Sequence, residues 1–269
     1  MNPFTKSAQQ ESKLRALARK KNSARMEYLL TDNVSFEVTE AFRNFKASLT
    51  VSMPKNQNGD GTVIVMTSAC PEDGKTTVSV NLSLMFAFSE AKVVLVDADA
   101  RKGRVARFFR KKSAPGLADY LSGQASVEEI VRKSSQNENL SYITCGTHSP
   151  RPYELLESEE MKSLINKLRK EYDYVIIDTP PLLLVSDALA IVSQADGAVV
   201  VCRHEVSYLS DVNKILNKLA FAKANILGVV INDYDSREKL SSRADRYKYY
   251  SYCYDSTLEV EQKKKEESK

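Results

Sequence analysis

The stretch Ser68-Ala-Cys-Pro-Glu-Asp-Gly-Lys-Thr-Thr77 follows the apolar run from Thr62 to Thr67 and opens a helical pattern that continues through Phe86. A strand, a glycine-containing loop and a helix in this order bind the phosphates of a nucleoside triphosphate. Backbone N–H groups of such a loop and the positive end of the helix point at the phosphates, and a lysine adds a full charge. The stretch therefore predicts nucleotide contacts from Pro71, Glu72, Asp73, Gly74, Lys75, Thr76 and Thr77.

This loop departs from the full spacing rule of phosphate loops. The rule places a glycine where Ala69 stands, and Pro71 lies inside the loop. A Gly-Lys turn that only begins an ordinary helix is therefore the alternative, unless other segments of the chain agree with a nucleotide site.

Two other apolar runs do agree, because both end in acidic residues. Val93 to Asp97 continues to Asp99, and Tyr174 to Asp178 is followed by two prolines. Carboxylates two residues apart face the same side of an extended chain, and ligands bind outside the carboxyl ends of strands in an open parallel sheet. We therefore expect Asp97, Asp99 and Asp178 to converge on Lys75. The alternative, that each Asp only begins a turn, explains any one of them more readily than all three.

The composition fits one α/β domain. The chain has 269 residues, of which 42 % are hydrophobic, and apolar strands alternate with helical segments. This pattern predicts a P-loop NTPase-like fold, a mostly parallel sheet with helices on both faces. Further strands are expected at 140–144, 198–202 and 226–231, and helices at 39–50 (capped by Thr39), 158–172, 186–193 and 207–222.

Charge and low-complexity segments divide the chain into three parts. We interpret residues 1–35 as a basic arm, 36–235 as the nucleotide-binding domain and 236–269 as a tyrosine-rich, charged tail. The arm suits an anionic membrane face or an acidic partner, and a solvated tail without a target is the alternative. A second basic block, Arg101 to Lys112, suits phosphates or an acidic tyrosine segment. No base-reading module accompanies it, so nucleic acid is not an expected partner.

The cysteines and the apolar runs favour a cytoplasmic protein. Cys70, Cys145, Cys202 and Cys253 have irregular spacing that matches no metal site, which suits a reducing compartment. No apolar run reaches the length of a membrane span, and no apolar signal region begins the chain. We therefore expect a soluble chain.

The loop at Lys75, the segment Asp97-Ala-Asp99-Ala-Arg101 and Asp178-Thr-Pro-Pro181 together resemble the bacterial tyrosine kinases of capsule and exopolysaccharide synthesis. The resemblance covers about residues 36–232. It implies autophosphorylation on tyrosine with ATP and Mg²⁺, Thr76 and the acidic residues organising the cation. Asp97 is our choice for the base, although sequence alone does not separate base from metal ligand among Asp97, Asp99 and Asp178. Asn232 is expected to contact the adenine.

The resemblance also implies the phosphate acceptors. Five tyrosines lie within eight residues after the last predicted strand, at Tyr247, Tyr249, Tyr250, Tyr252 and Tyr254. Alternating aromatics alone also suit an edge strand or an adhesive surface. In the resembled family such a cluster is the substrate of neighbouring copies.

Partners follow from the same resemblance. The family packs protomers into a ring through a Glu-x-x-Arg-x-x-Arg helix, which corresponds here to Glu40, Arg43 and Lys46. Lysine keeps the charge of arginine but loses its bidentate fork. The family works with a transmembrane polysaccharide co-polymerase, so we expect an activating membrane partner and a peripheral position at the inner face of the membrane. Other tyrosine-phosphorylated proteins are possible partners.

Two further function classes stay open. A ParA- or MinD-like positioning ATPase shares the expected fold but usually carries a lysine early in the phosphate loop, and Ser68 to Pro71 contain none. A non-catalytic assembly module of a polysaccharide machine would have a broken site, whereas Lys75, Thr76 and the acidic motifs are present.

Overall fold

The described part of the chain is built around a sheet whose central strands are apolar, seen in a computed structural model that describes residues 29–30, 34–54 and 59–234. The strands are β1 (Thr62–Ser68), β2 (Val93–Asp97), β3 (Val131–Lys133), β4 (Leu140–Ile143), β5 (Tyr174–Asp178), β6 (Gly197–Arg203) and β7 (Ile226–Asn232). Their order across the sheet is β3-β4-β2-β5-β1-β6-β7. β3 runs antiparallel to β4, and the other neighbours are parallel. This confirms the predicted, mostly parallel sheet.

Helices cover both faces of the sheet, also as predicted. They are α1 (Phe36–Ser52), α2 (Lys75–Ala87), α3 (Val105–Phe108), α4 (Leu117–Leu121), α5 (Val127–Ile130), α6 (Pro152–Glu157), α7 (Glu159–Glu171), α8 (Asp187–Val192) and α9 (Leu209–Phe221). One core lies between the sheet and α7, α8 and α9, and the other lies under α1 and α2. Strands buried on both faces are apolar along their whole length, which is why these runs show no alternation.

The first helix begins earlier than the sequence predicted. α1 starts at Phe36, and Thr39 lies inside it, where its hydroxyl donates a hydrogen bond to the Ser35 carbonyl at 3.2 Å. The prediction of Thr39 as the cap was therefore wrong, because a hydroxyl bonded to the preceding turn does not accept from the helix N-terminus. Leu49 is the residue that α1 buries fully.

No helix within the described part of the chain is long and apolar enough to cross a lipid bilayer.

Candidate functional site

The loop between β1 and α2 is held by polar contacts to Asp73. The buried Asp73 carboxylate accepts from the Cys70 N–H at 2.8 Å and from the Ser207 hydroxyl at 3.0 Å. Asn232 Nδ2 donates to the Asp73 carbonyl at 3.0 Å. These bonds come from the loop itself and from the chain following β6 and ending β7, so the phosphate loop is shaped in advance of any ligand.

The end of the loop needs a glycine at position 74. Gly74 has φ of 88° and directly precedes α2, a conformation that side chains rarely adopt. A Cβ atom there would lie 1.8 Å from Asn232 Nδ2. Glu72, two residues before Gly74, also has a positive φ. Arg203 Nη1 donates a hydrogen bond to the Glu72 carbonyl oxygen at 3.0 Å.

Ala69 stands where phosphate loops usually have their first glycine, and its surroundings accommodate a methyl group. Its side chain is fully buried and belongs to the core under α7, α8 and α9. The methyl group therefore packs into the interior at the end of β1. Pro71 and Glu72 are exposed, while Thr76 and Thr77 are half-buried.

Lys75 is bound to a carboxylate at the end of β5. Its Nζ atom lies 2.6 Å from Asp178 Oδ1, and both side chains are buried. The Thr76 hydroxyl donates to Asp178 Oδ2 at 2.7 Å and the Ser79 hydroxyl to Oδ1 at 3.0 Å. The carboxylate is thus compensated by one cation and two hydroxyls, as a buried charge requires.

Asp97 lies beside Asp178, because the two are register partners on the adjacent strands β2 and β5. Its carboxylate is fully buried and accepts from the amides of Asp99 at 3.2 Å and Val105 at 3.0 Å. Burial raises the pKa of Asp97 to about 8, and the charge of Asp178 contributes further, against the lowering effect of the Val105 amide and Lys75. The two carboxylates therefore occupy one low-dielectric site in different environments.

Asp99 differs from the sequence expectation. β2 ends at Asp97, so the alternation of an extended strand does not reach Asp99, and the two carboxylates do not share a strand face. Asp99 lies in the following turn, where its Oδ1 accepts from the amides of Arg101 at 3.2 Å and Lys102 at 2.9 Å. Such local side-chain bonds are typical of an Asp that begins a turn.

The donors at this site suit Mg²⁺ bound together with a nucleotide. No three His, Cys, Asp or Glu side chains among the described residues lie close enough to hold a metal ion by themselves. Mg²⁺ commonly uses one or two carboxylates plus substrate phosphates and water. Asp178, Asp97 and the Thr76 hydroxyl offer such an incomplete oxygen set beside the phosphate loop.

The predicted oligomer residues on α1 do not share one free face. Arg43 is exposed and forms an ion pair with Glu40 of the same helix. Lys46 turns inward: it donates to the Ser89 hydroxyl and its Nζ lies 5.7 Å from the centre of the Phe86 ring. Its contacts within the same protomer leave Arg43 as the more exposed cation of the pattern.

Several polar residues near the site carried no recognisable sequence motif. Ser79 reaches Asp178 because it lies one helical turn after Lys75, on the same face of α2. Arg101, in the basic block, forms an ion pair with the buried Asp187 at 2.9 Å instead of extending freely. Arg203 pairs with Asp233 at 2.8 Å while it holds the Glu72 carbonyl. Only the Ser79 spacing could have been found from the sequence.

The five predicted acceptor tyrosines, from Tyr247 to Tyr254, lie outside the described residues, as do residues 1–28 of the predicted basic arm.

Comparison with known proteins places this geometry in a family. Residues 61–230 match the AAA domain family. The chain is 35 % identical over 236 residues to the putative tyrosine-protein kinase EpsB of Ralstonia solanacearum, covering 86 % of this chain and 31 % of EpsB. It is 38 % identical to the tyrosine-protein kinase YwqD of Bacillus subtilis, covering 70 % of this chain and 76 % of YwqD.

A solved structure agrees with these relatives. The kinase domain of the Escherichia coli tyrosine kinase ETK superposes with a TM-score of 0.68 at 30 % identity, covering 79 % of this chain and 84 % of that domain. The chain therefore spans about a third of the length of EpsB but most of YwqD and of the ETK kinase domain.

Proposed function

The chain belongs to the AAA domain family and to the bacterial tyrosine kinases, and from this premise we propose that it transfers the γ-phosphoryl group of ATP to tyrosine side chains. The observation that carries the proposal is the Lys75–Asp178–Thr76 cluster at the start of α2, with Asp97 beside it. A cation, a hydroxyl and two carboxylates next to a preformed phosphate loop are the parts that phosphoryl transfer uses.

Binding and orientation come from the loop. Its backbone N–H groups, from Glu72 to Thr77, would surround the β- and γ-phosphates. Pro71, which has no N–H group, would contribute only a packing contact, and Lys75 would leave Asp178 for the phosphate oxygens. Asn232 lies against the Asp73 carbonyl, so we assign it first a role in holding the loop, with the adenine contact as a second role for the same side chain. Mg²⁺, held by Thr76 and Asp178, would neutralise charge on the phosphates.

We assign Asp97 as the base on the grounds of its contacts. The oxygens of Asp178 are engaged by Lys75, Thr76 and Ser79, whereas Asp97 accepts from backbone amides. The acceptor phenol would give its proton to Asp97 as its oxygen bonds the γ-phosphorus. The bond from that phosphorus to the β,γ-bridging oxygen breaks, and ADP leaves. Asp99 is the alternative base, since it begins the next turn.

The proposed acceptors are Tyr247, Tyr249, Tyr250, Tyr252 and Tyr254, modified in trans by a neighbouring copy. The copies would assemble as a ring through α1, with Arg43 as its most exposed contact. Each phosphate adds about −1.5 to −2 charges, so several within the cluster would repel the acidic centre and release the tail. Through this cycle, and with an activating segment of a transmembrane co-polymerase at the inner face of the membrane, the chain would regulate capsular or exopolysaccharide polymerisation and export.

The test is phosphotyrosine formation by the purified chain with Mg–ATP, with and without cytoplasmic segments of candidate membrane partners. Mass spectrometry should locate phosphate on the tail tyrosines in the parent and none in Lys75→Met. Changing the five tyrosines to phenylalanine should abolish incorporation and make the assembly size, measured by light scattering, independent of ATP. ADP release without phosphotyrosine under every condition would replace this proposal with a positioning-type ATPase.

A further inference from the structure

A second cluster of charged side chains lies away from the phosphate loop. A cleft of about 400 Å³ is lined by Lys111, Lys112, Arg132, Lys133 and Tyr142. The first two residues follow α3, the next two belong to β3, and the tyrosine belongs to β4. β3 lies four positions from β1 in the sheet order, with three strands between them, which corresponds to about 19 Å at the usual strand spacing. The cleft is therefore separate from the phosphate loop that follows β1.

The cleft has a fixed framework. Arg132 donates to the carbonyls of Lys112 at 2.5 Å and Pro115 at 2.6 Å, which ties the chain after α3 to β3. Arg132 is also the register partner of Tyr142 across the antiparallel pair. The Tyr142 ring stacks on Phe109 with 4.0 Å between ring centres and 7° between planes. The Arg132 hydrogen bonds and the aromatic stack thus fix the backbone segments that carry the four cations.

The charge of the cleft is not compensated by the protein around it. Lys111, Lys112, Arg132 and Lys133 form no ion pair with any carboxylate that the structure describes; Lys133 donates to the Glu138 carbonyl. Four cations around one small volume repel one another. A dianion entering the cleft would remove this repulsion and form charge-assisted hydrogen bonds, including with the N–H groups of Arg132 that the carbonyls leave available.

We propose that this cleft binds a phosphotyrosine side chain from the tail of a second copy of the chain. The volume exceeds that of a bare phosphate, and a phosphomonoester carries more charge than the single charge of a phosphodiester. Arg-containing clusters are a recurring mode of phosphopeptide recognition. The supply of this ligand in the cell rests on the proposed kinase activity; the cleft itself does not.

The experiment supplies the ligand by synthesis, so that binding is measured independently of catalysis. A fluorescent peptide of residues 245–256, phosphorylated at Tyr250, is titrated against the full chain carrying Lys75→Met, which keeps the tail unmodified. We expect binding that an excess of a non-hydrolysable Mg–ATP analogue does not displace. Lys112→Gln and Lys133→Gln should each weaken it roughly tenfold, the usual effect of one charge-assisted hydrogen bond. Arg132→Lys should also weaken it, because the fork is lost.

Lys162→Gln is the matched control, since Lys162 is an exposed lysine that pairs with Glu159 on α7; its affinity should equal that of the parent. Melting temperatures identify any variant that fails to fold. Equal affinity for the unphosphorylated peptide, or unchanged affinity in Lys112→Gln and Lys133→Gln, would overturn the proposal. The proposal would also be overturned if the chain did not bind the phosphopeptide but bound anionic vesicles, and if Lys112→Gln and Lys133→Gln abolished that vesicle binding. An inactive parent that still binds the phosphopeptide through the cleft would instead overturn the proposed kinase function alone.

Discussion

Lys75 and Asp178 form a buried ion pair at 2.6 Å, so the cation of the phosphate loop and the carboxylate at the end of β5 neutralise each other. Nucleotide binding must therefore exchange one anionic partner of Lys75 for another. The Thr76 and Ser79 hydroxyls also donate to Asp178, and these two hydrogen bonds would lower the cost of leaving the carboxylate buried without its lysine.

The first prediction concerns the stability of this pair. Lys75→Met should reduce the free energy of unfolding by about 3 kcal/mol, because removing one partner leaves a buried charge uncompensated. Adding Asp178→Asn to the same chain should restore part of that loss. Chemical denaturation of both single variants and the double variant measures the coupling. Strictly additive effects would show that the two side chains do not interact in solution.

The second prediction is a pH dependence of stability without metal or nucleotide. The pKa of Asp97 is raised from 3.8 to about 8 in the folded chain, so unfolding releases a proton between about pH 4 and pH 8. The contribution of Asp97 to the free energy of unfolding is fully present below pH 4. It is lost as the pH rises to 8, and the free energy of unfolding falls by up to about 1.4 kcal/mol per pH unit over this range. Asp97→Asn cannot ionise and should lack this slope. Denaturation of both proteins in EDTA across this range checks the difference; parallel curves would contradict it.

The third prediction tests the polar contacts that hold the phosphate loop. Ser207→Ala removes the hydroxyl that donates to the buried Asp73 carboxylate. We expect ATP to bind about threefold to tenfold more weakly, the value of one hydrogen bond that shapes the loop. Calorimetric titration measures this affinity. Ser122→Ala, which loses a hydroxyl bonded to the Ala118 carbonyl at 2.8 Å, should bind ATP like the parent.

The fourth prediction concerns the close approach of Gly103 to the site. A Cβ atom at Gly103 would lie 2.3 Å from Cys145 Sγ and 2.7 Å from Asp97 Oδ2. Gly103→Ala should therefore displace the carboxylate and reduce phosphotyrosine formation on the order of tenfold or more.

Gly123→Ala separates displacement from general strain. Gly123 has φ of 72° and no neighbour within 4 Å of the added carbon, so this variant loses stability without moving Asp97. A kinase rate that falls equally in both variants would argue against a specific effect at position 103.

The sequence predicted the central strands because each is a continuous apolar run that both helix layers bury. It did not predict β3, whose three residues include Arg132 and Lys133 and are partly buried or exposed. β3 forms because it pairs with β4, and its own amino-acid composition does not indicate a strand. The four-residue helices α3 and α5 are likewise too short for a periodic pattern to indicate.

At the site, the sequence predicted which carboxylates end the strands but not how far the strand geometry extends. Asp97 and Asp178 meet because they end adjacent strands, whereas Asp99 follows the geometry of a turn. Lys46 was expected beside Arg43, but the Phe86 ring and the Ser89 hydroxyl attract it toward α2. Contacts between elements distant in sequence decide such orientations, and a local pattern does not contain them.

Lys75 and Asp178 are separated by 103 positions in the sequence, and this has a consequence for biosynthesis. A ribosome adds about 5–20 residues each second, so the lysine leaves the tunnel several seconds or more before its carboxylate is made. During that interval the nascent chain has β1 and α2 but lacks the strand that lies between β1 and β2 in the finished sheet. A translation product that stops before β5 therefore has a phosphate loop without its counter-charge, and the place between β1 and β2 in the sheet stays unfilled until β5 is made.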